Sequence, residues 1–223
     1  MEGSDYTRLR KLMVEEMKAR GYLGSKVVEE ALLVVPRELF VPEEQRCHAY
    51  EDRPLPVGFG QTISAPSVVA RMTELLDVRP GHKVLEVGTG SGYQASILAW
   101  LVGDGGQVWT IERVPQLAER ARSVIKAIGL GARVTVIVGD GSLGYPQAAP
   151  FDRIIVTAAA PRPPRALLEQ LRLGGRMVVP VGGRDTQVLQ VIDKKAPNSF
   201  DVRHDLEVLF VPLIGADGWP PEA

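Results

Sequence analysis

The segment Val84-Leu85-Glu86-Val87-Gly88-Thr89-Gly90-Ser91-Gly92-Tyr93 places a carboxylate and three glycines directly after an apolar run. The run reads as a buried strand over 83–87, and residues 91–102 read as a helix. Glycine allows positive φ and a close backbone approach to a ligand. A helix start adds free N–H groups. Together they describe a nucleotide-type binding turn at the carboxyl end of a strand. Two more strand ends carry matching groups. Glu112 closes Gln107-Val108-Trp109-Thr110-Ile111, where a carboxylate accepts hydrogen bonds from ribose hydroxyls. Gly139-Asp140-Gly141 follows a strand over 133–138, and an aspartate there suits the exocyclic amine of adenine. Taken singly, each has a plainer reading: a tight turn, a solvated surface charge, a plain turn. Their order along the chain favours an adenosyl ligand.

Which ligand follows from charge and spacing. A dinucleotide fingerprint needs a third glycine where Tyr93 stands, and no Gly-Lys-Ser/Thr follows the turn. Glu86 would repel a pyrophosphate but suits a cation. S-adenosylmethionine carries a sulfonium and an ammonium and no phosphate, so it is the expected cofactor, with S-adenosylhomocysteine as its product. No metal is expected. His48, His82 and His204 are scattered, and Cys47-His48 lacks ligand spacing.

The positioning elements form an α/β pattern. Amphipathic helices are expected over 6–20 and 26–34, the second capped by Ser25, and a Pro/Gly-rich loop over 53–63. A helix over 65–76 follows. Then come strand 83–87, helix 91–102, strand 107–111, helix 115–128, strand 133–138, strand 152–157, helix 163–171 and strand 175–181. This alternation predicts a doubly wound, mostly parallel seven-stranded sheet with both faces covered. Strands over 187–193 and 206–211 lack an intervening helix, which predicts an antiparallel C-terminal end. The tail from Gly215 to Ala223 is expected to be loosely held. One methyltransferase domain over 1–223 is expected. Residues 1–78 would be the N-terminal helical extension and substrate/cofactor loop, 79–182 the cofactor-binding core, and 183–223 the C-terminal strands and tail.

Bulk properties narrow the partners. The 223 residues carry 26 Lys+Arg against 27 Asp+Glu, a formal net charge of −1. That balance offers no broad field for nucleic acid. No stretch resembles a signal peptide or a membrane span, and one cysteine permits no internal disulfide, so a cytoplasmic protein is expected. A monomer is the default. Asn198 is the single asparagine and arginine outnumbers lysine 19 to 7, a bias consistent with a thermophilic source.

Beyond the glycine turn, Gly60-Gln61-Thr62-Ile63-Ser64-Ala65-Pro66 with Val69-Ala70-Arg71-Met72 resembles the signature of the protein-L-isoaspartate (D-aspartate) O-methyltransferase family. So do Leu85 to Gln94, Val35-Pro36-Arg37-Glu38-Leu39-Phe40-Val41, Gly139-Asp140-Gly141, Phe151-Asp152 with Ile154 to Ala159, and Phe210-Val211-Pro212-Leu213. The resemblance covers about residues 7–214. It implies an enzyme that moves a methyl group from S-adenosylmethionine to the α-carboxylate of L-isoaspartyl, and more weakly D-aspartyl, residues in damaged proteins. The ester then collapses to a succinimide and repair begins. It also implies Ser64 as the catalytic residue, and an order of the last two strands unlike that of most methyltransferases. Cofactor contacts would come from Gln61, Thr62, Ile63, Ser64, Gly88, Gly90, Glu112, Asp140 and Gly141, beside Glu86 from the charge argument. Thr62, Ser64, Ala159 and Gln187 are the substrate candidates.

The chemistry needs little acid–base help. A carboxylate is already ionised near neutrality, so Ser64 would act as a positioning donor and not as a nucleophile. Its plainer alternative is a helix N-cap before Pro66. Competing readings are an RNA or small-molecule methyltransferase, a nicotinamide oxidoreductase, and a non-catalytic binding module. The net charge, the Thr-Ile-Ser loop and Tyr93 argue against them.

Overall fold

The computed structural model describes residues 3–221. In chain order the elements are α1 (Gly3–Ala19), α2 (Lys26–Val34), β1 (Leu55–Gly58), β2 (Gln61–Ile63), α3 (Pro66–Leu76), β3 (Lys83–Val87), α4 (Tyr93–Val102) and β4 (Gln107–Glu112). They continue with α5 (Pro115–Ala127), β5 (Val134–Val138), β6 (Phe151–Val156), α6 (Arg165–Gln170), β7 (Leu171–Gly182), β8 (Gln187–Ala196) and β9 (Ser199–Val208).

The main sheet has seven strands in the order β5-β4-β3-β6-β7-β8-β9. β3, β4, β5, β6 and β7 run parallel, and β8 and β9 add antiparallel. The strand order reverses between β3 and β6, the switch point where doubly wound sheets open a crevice. Strand side chains alternate between faces. Val84 and Val108 therefore join a core layer with α1 to α5, through Met13, Val28, Met72, Ile97 and Leu117. Leu85, Val87 and Ile111 join the opposite layer, which α6 closes with Leu167.

Five local expectations are corrected. The stretch 53–63 is not all loop: β1 and β2 form an antiparallel pair, with Leu55 facing Ile63. α4 starts at Tyr93 and not at Ser91, because Gly92 takes φ +88 and is its N-cap. The last strand is Ser199–Val208. Its solvent-facing polar residues hide the alternation that marks a half-buried strand, as suits an edge. The tail is tied down through residue 219. Ala216 N donates to Asp140 Oδ2 at 2.7 Å, and Arg162 Nη2 donates to Asp217 Oδ1 at 2.6 Å. Ser25 is the N-cap of α2 by backbone conformation, but its side chain makes no capping hydrogen bond.

Candidate active site

The carboxyl ends of β3, β4 and β6 meet around one open cavity. Backbone bonds knit these ends together. Gly88 N and Thr89 N donate to Ile111 O, and Thr157 N donates to Val87 O at 2.9 Å. Gly88 holds φ +99, and a Cβ there would stand 2.5 Å from Thr157 Oγ1. Only glycine closes this turn, because Thr157 already donates its hydroxyl to Gly88 O at 2.6 Å. Gly141 is excluded from bearing a side chain for another reason: its Cβ would meet Val87 Cγ1 at 2.5 Å.

Glu112 is buried at the tip of β4 and lines the cavity. Gly90 N donates to its Oε2 at 2.8 Å, and Val114 N donates to its Oε1 at 2.9 Å. Each carboxylate oxygen accepts more than one hydrogen bond, so capacity remains for a diol.

Gln61, Thr62, Ile63, Ser64, Gly88, Gly90, Glu112 and Gly141 all line this cavity. A second cavity adjoins it, with apolar walls from Pro54, Val68, Leu209 and Phe210. Thr62, Ser64, Thr157 and Val211 line both. The N-cap of α3 is Ala65, with no side-chain capping bond. The Ser64 hydroxyl is therefore not used as a helix cap.

Four expected residues do not line the cavity. Glu86 shares the face of Val84, is fully buried, and accepts a hydrogen bond from Thr110 Oγ1. Burial raises its pKa to about 8, so it is no carboxylate for a cation. Its Oε1 has no partner. Asp140 turns back on its own chain, accepting from Ser142 N at 2.9 Å and from Ser142 Oγ at 2.7 Å, while the tail takes its other oxygen. Ala159 is core, its N–H donated to Val211 O. Gln187 is buried and spent on structure: Nε2 donates to Gly183 O at 2.6 Å, and Phe210 N donates to Oε1 at 2.9 Å.

Residues assigned no ligand role complete the wall. Val211, Pro212, Leu213 and Ile214 line the cavity from the C-terminal segment, and Tyr93 and Gln94 contribute from α4. The motif containing Phe210 to Leu213 was a signal for the former, but no local pattern said that it returns to this cavity. Among the described residues no three His, Cys, Asp or Glu side chains stand together to hold a metal. No helix among them is long and apolar enough to cross a membrane.

The comparisons agree with this geometry. Residues 8–218 match the family described as protein-L-isoaspartate(D-aspartate) O-methyltransferase. A protein-L-isoaspartate O-methyltransferase of Aeropyrum pernix is 55% identical over 218 residues, covering 98% of this chain and 84% of the relative. That of Ignicoccus hospitalis is 58% identical over 204 residues, covering 91% and 95%. A solved structure from Plasmodium falciparum, described as this methyltransferase in complex with S-adenosyl-L-homocysteine, superimposes with a TM-score of 0.82 at 28% identity, covering 92% of this chain and 98% of its own. A matched family model spanning nearly the whole chain, and relatives at over half identity across most of both chains, leave one conclusion: this chain belongs to the protein-L-isoaspartate(D-aspartate) O-methyltransferase family.

Proposed function

We propose that the protein transfers a methyl group from S-adenosylmethionine to the α-carboxylate of L-isoaspartyl residues, and more weakly of D-aspartyl residues, in damaged proteins and peptides. The observation that carries this reading is the wall shared by the two cavities at Thr62, Ser64, Thr157 and Val211. An acceptor entering the second cavity reaches the first at Ser64.

The donor set fits the adenosyl group. Glu112 is placed to take the ribose hydroxyls, the glycine turn at Gly88 and Gly90 lets the ligand lie against backbone, and Gly141 lets its strand end pack closely against Val87 at the cavity wall. The Gln61–Ser64 loop closes the other side. When bound, S-adenosylmethionine supplies an electrophilic methyl group on a sulfonium. The chain's task is then alignment and exclusion of water, and orientation alone is worth ~7–11 kcal/mol in favourable cases. The acceptor is ionised at neutral pH, so no general base is required. Ser64 and Thr62 offer hydroxyl donors to orient it. The ester product collapses to a succinimide away from the enzyme, which begins repair. We assign Asp140, Glu86, Ala159 and Gln187 supporting positions around this machinery.

The test uses labelled S-adenosylmethionine and two peptides differing only in an isoaspartyl or aspartyl linkage. Base-labile label is expected on the isoaspartyl peptide alone. Label on neither peptide, or equal label on both, would sink the proposal.

A further inference from the structure

The motif Val35 to Val41, which resembles the family signature, carries an arginine that does not line the cavity. Arg37 is fully buried, and among the described residues it has no ion pair. Asp52 acts on it only at longer range, being committed to Arg20 Nη1 and Ser67 N. An unpaired buried cation is costly. The guanidinium donates through Nε to Ala49 O at 2.7 Å and through Nη2 to Ser64 O at 2.7 Å. It stacks 5.0 Å from the centre of the Tyr93 ring, which Phe40 buttresses edge-on at 5.5 Å. Its Nη1 has no partner, nor does the Tyr93 hydroxyl. Burial lowers its pKa to about 10, which leaves the charge in place near neutrality.

Ser64 and Tyr93 both line the main cavity, so Arg37 stands one layer behind its wall at two points. In a trans peptide the C=O and the following N–H point in opposite directions. Pinning Ser64 O toward Arg37 therefore turns the Ala65 N–H away from it, and Ala65 lines the second cavity. We infer that Arg37 is the positioning residue of methyl transfer: it fixes the Ser64–Ala65 peptide so that the serine hydroxyl and the adjacent N–H meet the incoming carboxylate. This inference rests on the function proposed above. Distance from the reacting atoms suits the role. Methyl transfer from a cation to an anion loses charge, and a guanidinium touching the carboxylate would hold the ground state more tightly than the transition state.

A double-mutant cycle in the full chain tests it. Arg37→Met is expected to lower kcat/KM for an isoaspartyl peptide by at least about tenfold. The Kd of S-adenosylhomocysteine should stay within about twofold. Arg37→Lys, which keeps a cationic donor, should recover part of the loss. In a Ser64→Ala background both changes should cost clearly less than in the wild type, because residues that act through one another are not additive and only the Ala65 N–H is then left for Arg37 to place. Equal losses in both backgrounds would mark a merely structural role and overturn the inference, as would full activity of Arg37→Met. Should Arg37→Met not fold, Arg37→Lys carries the same cycle. Hydrogen exchange gives a readout independent of turnover: amides 61–65 should exchange faster in Arg37→Lys while β3 and α4 keep their protection. Unchanged exchange at 61–65 would also overturn it. An inactive wild type would sink the functional proposal, and exchange alone would then decide the role of Arg37.

Discussion

The backbone N–H of Gly90 donates to Glu112 Oε2 at 2.8 Å, so the glycine turn after β3 and the carboxylate ending β4 form one unit. Gly90 holds φ +51, a backbone conformation that favours glycine, and it lines the same cavity as the Glu112 side chain. The same carboxylate straps the chain onward through Val114. Turn and cofactor contact are thus coupled.

Glu112→Gln puts an amide NH2 against one of two backbone N–H groups. A charge-assisted hydrogen bond contributes about 1.5–3 kcal/mol. The Kd for S-adenosylhomocysteine is expected to rise at least about tenfold by calorimetry. An unchanged Kd would remove Glu112 from the cofactor site.

Gly88→Ala must place a Cβ 2.5 Å from Thr157 Oγ1 at φ +99. Strain of this kind costs about 1–3 kcal/mol, and the turn it distorts is the cofactor cradle. Both the melting temperature and the affinity for S-adenosylhomocysteine should fall. Gly139→Ala is the control, since a Cβ there meets nothing within 4 Å. Its stability change should stay within about 0.5 kcal/mol.

Ser64→Ala removes a hydroxyl that neither caps α3 nor donates to any described residue. Its kcat should drop by about tenfold or more if one orienting donor is lost. Thermal stability and the Kd for S-adenosylhomocysteine should barely move. Retained turnover would reduce Ser64 to a lining residue.

Glu86 gives a stability signature in pH. Burial raises its pKa from 4.5 to about 8, so between these values the folded chain holds a proton that the unfolded chain has lost. Stability from this group is fully present below 4.5 and is lost as pH rises through about 8. Thr110 faces it with a hydroxyl, and Glu112 adds a like charge. Glu86→Gln is neutral at every pH. Its advantage over the wild type should grow by about 1.4 kcal/mol per pH unit across that window and then level off. Urea unfolding at several pH values measures this, and parallel curves for the two proteins would contradict it.

Much of the site could be read from the chain alone because its signals are local. The glycine turn needs no distant residue to announce it, and Glu112 follows from a strand that ends in a carboxylate. Gln61 to Ser64 stood out through a compact motif. The alternation of apolar runs and amphipathic segments gave the parallel core, since each element's burial is written into its own period.

What required the folded chain was direction and return. Glu86 and Val87 are neighbours, yet the pleat sends one to a closed core layer and the other to the cavity. Asp140 ends its strand as expected, but Ser142 and the tail claim its oxygens. Gln187 lies near the site in sequence pattern and is consumed by Gly183 and Phe210. Arg37 reaches Ser64 across 27 positions, and Ala216 reaches Asp140 across 76. Residue type and spacing determined the cofactor turn and the order of the core because those depend on neighbours along the chain. Tertiary structure decided which polar groups face the cavity, because a hydrogen bond between distant segments is chosen only when packing brings them together.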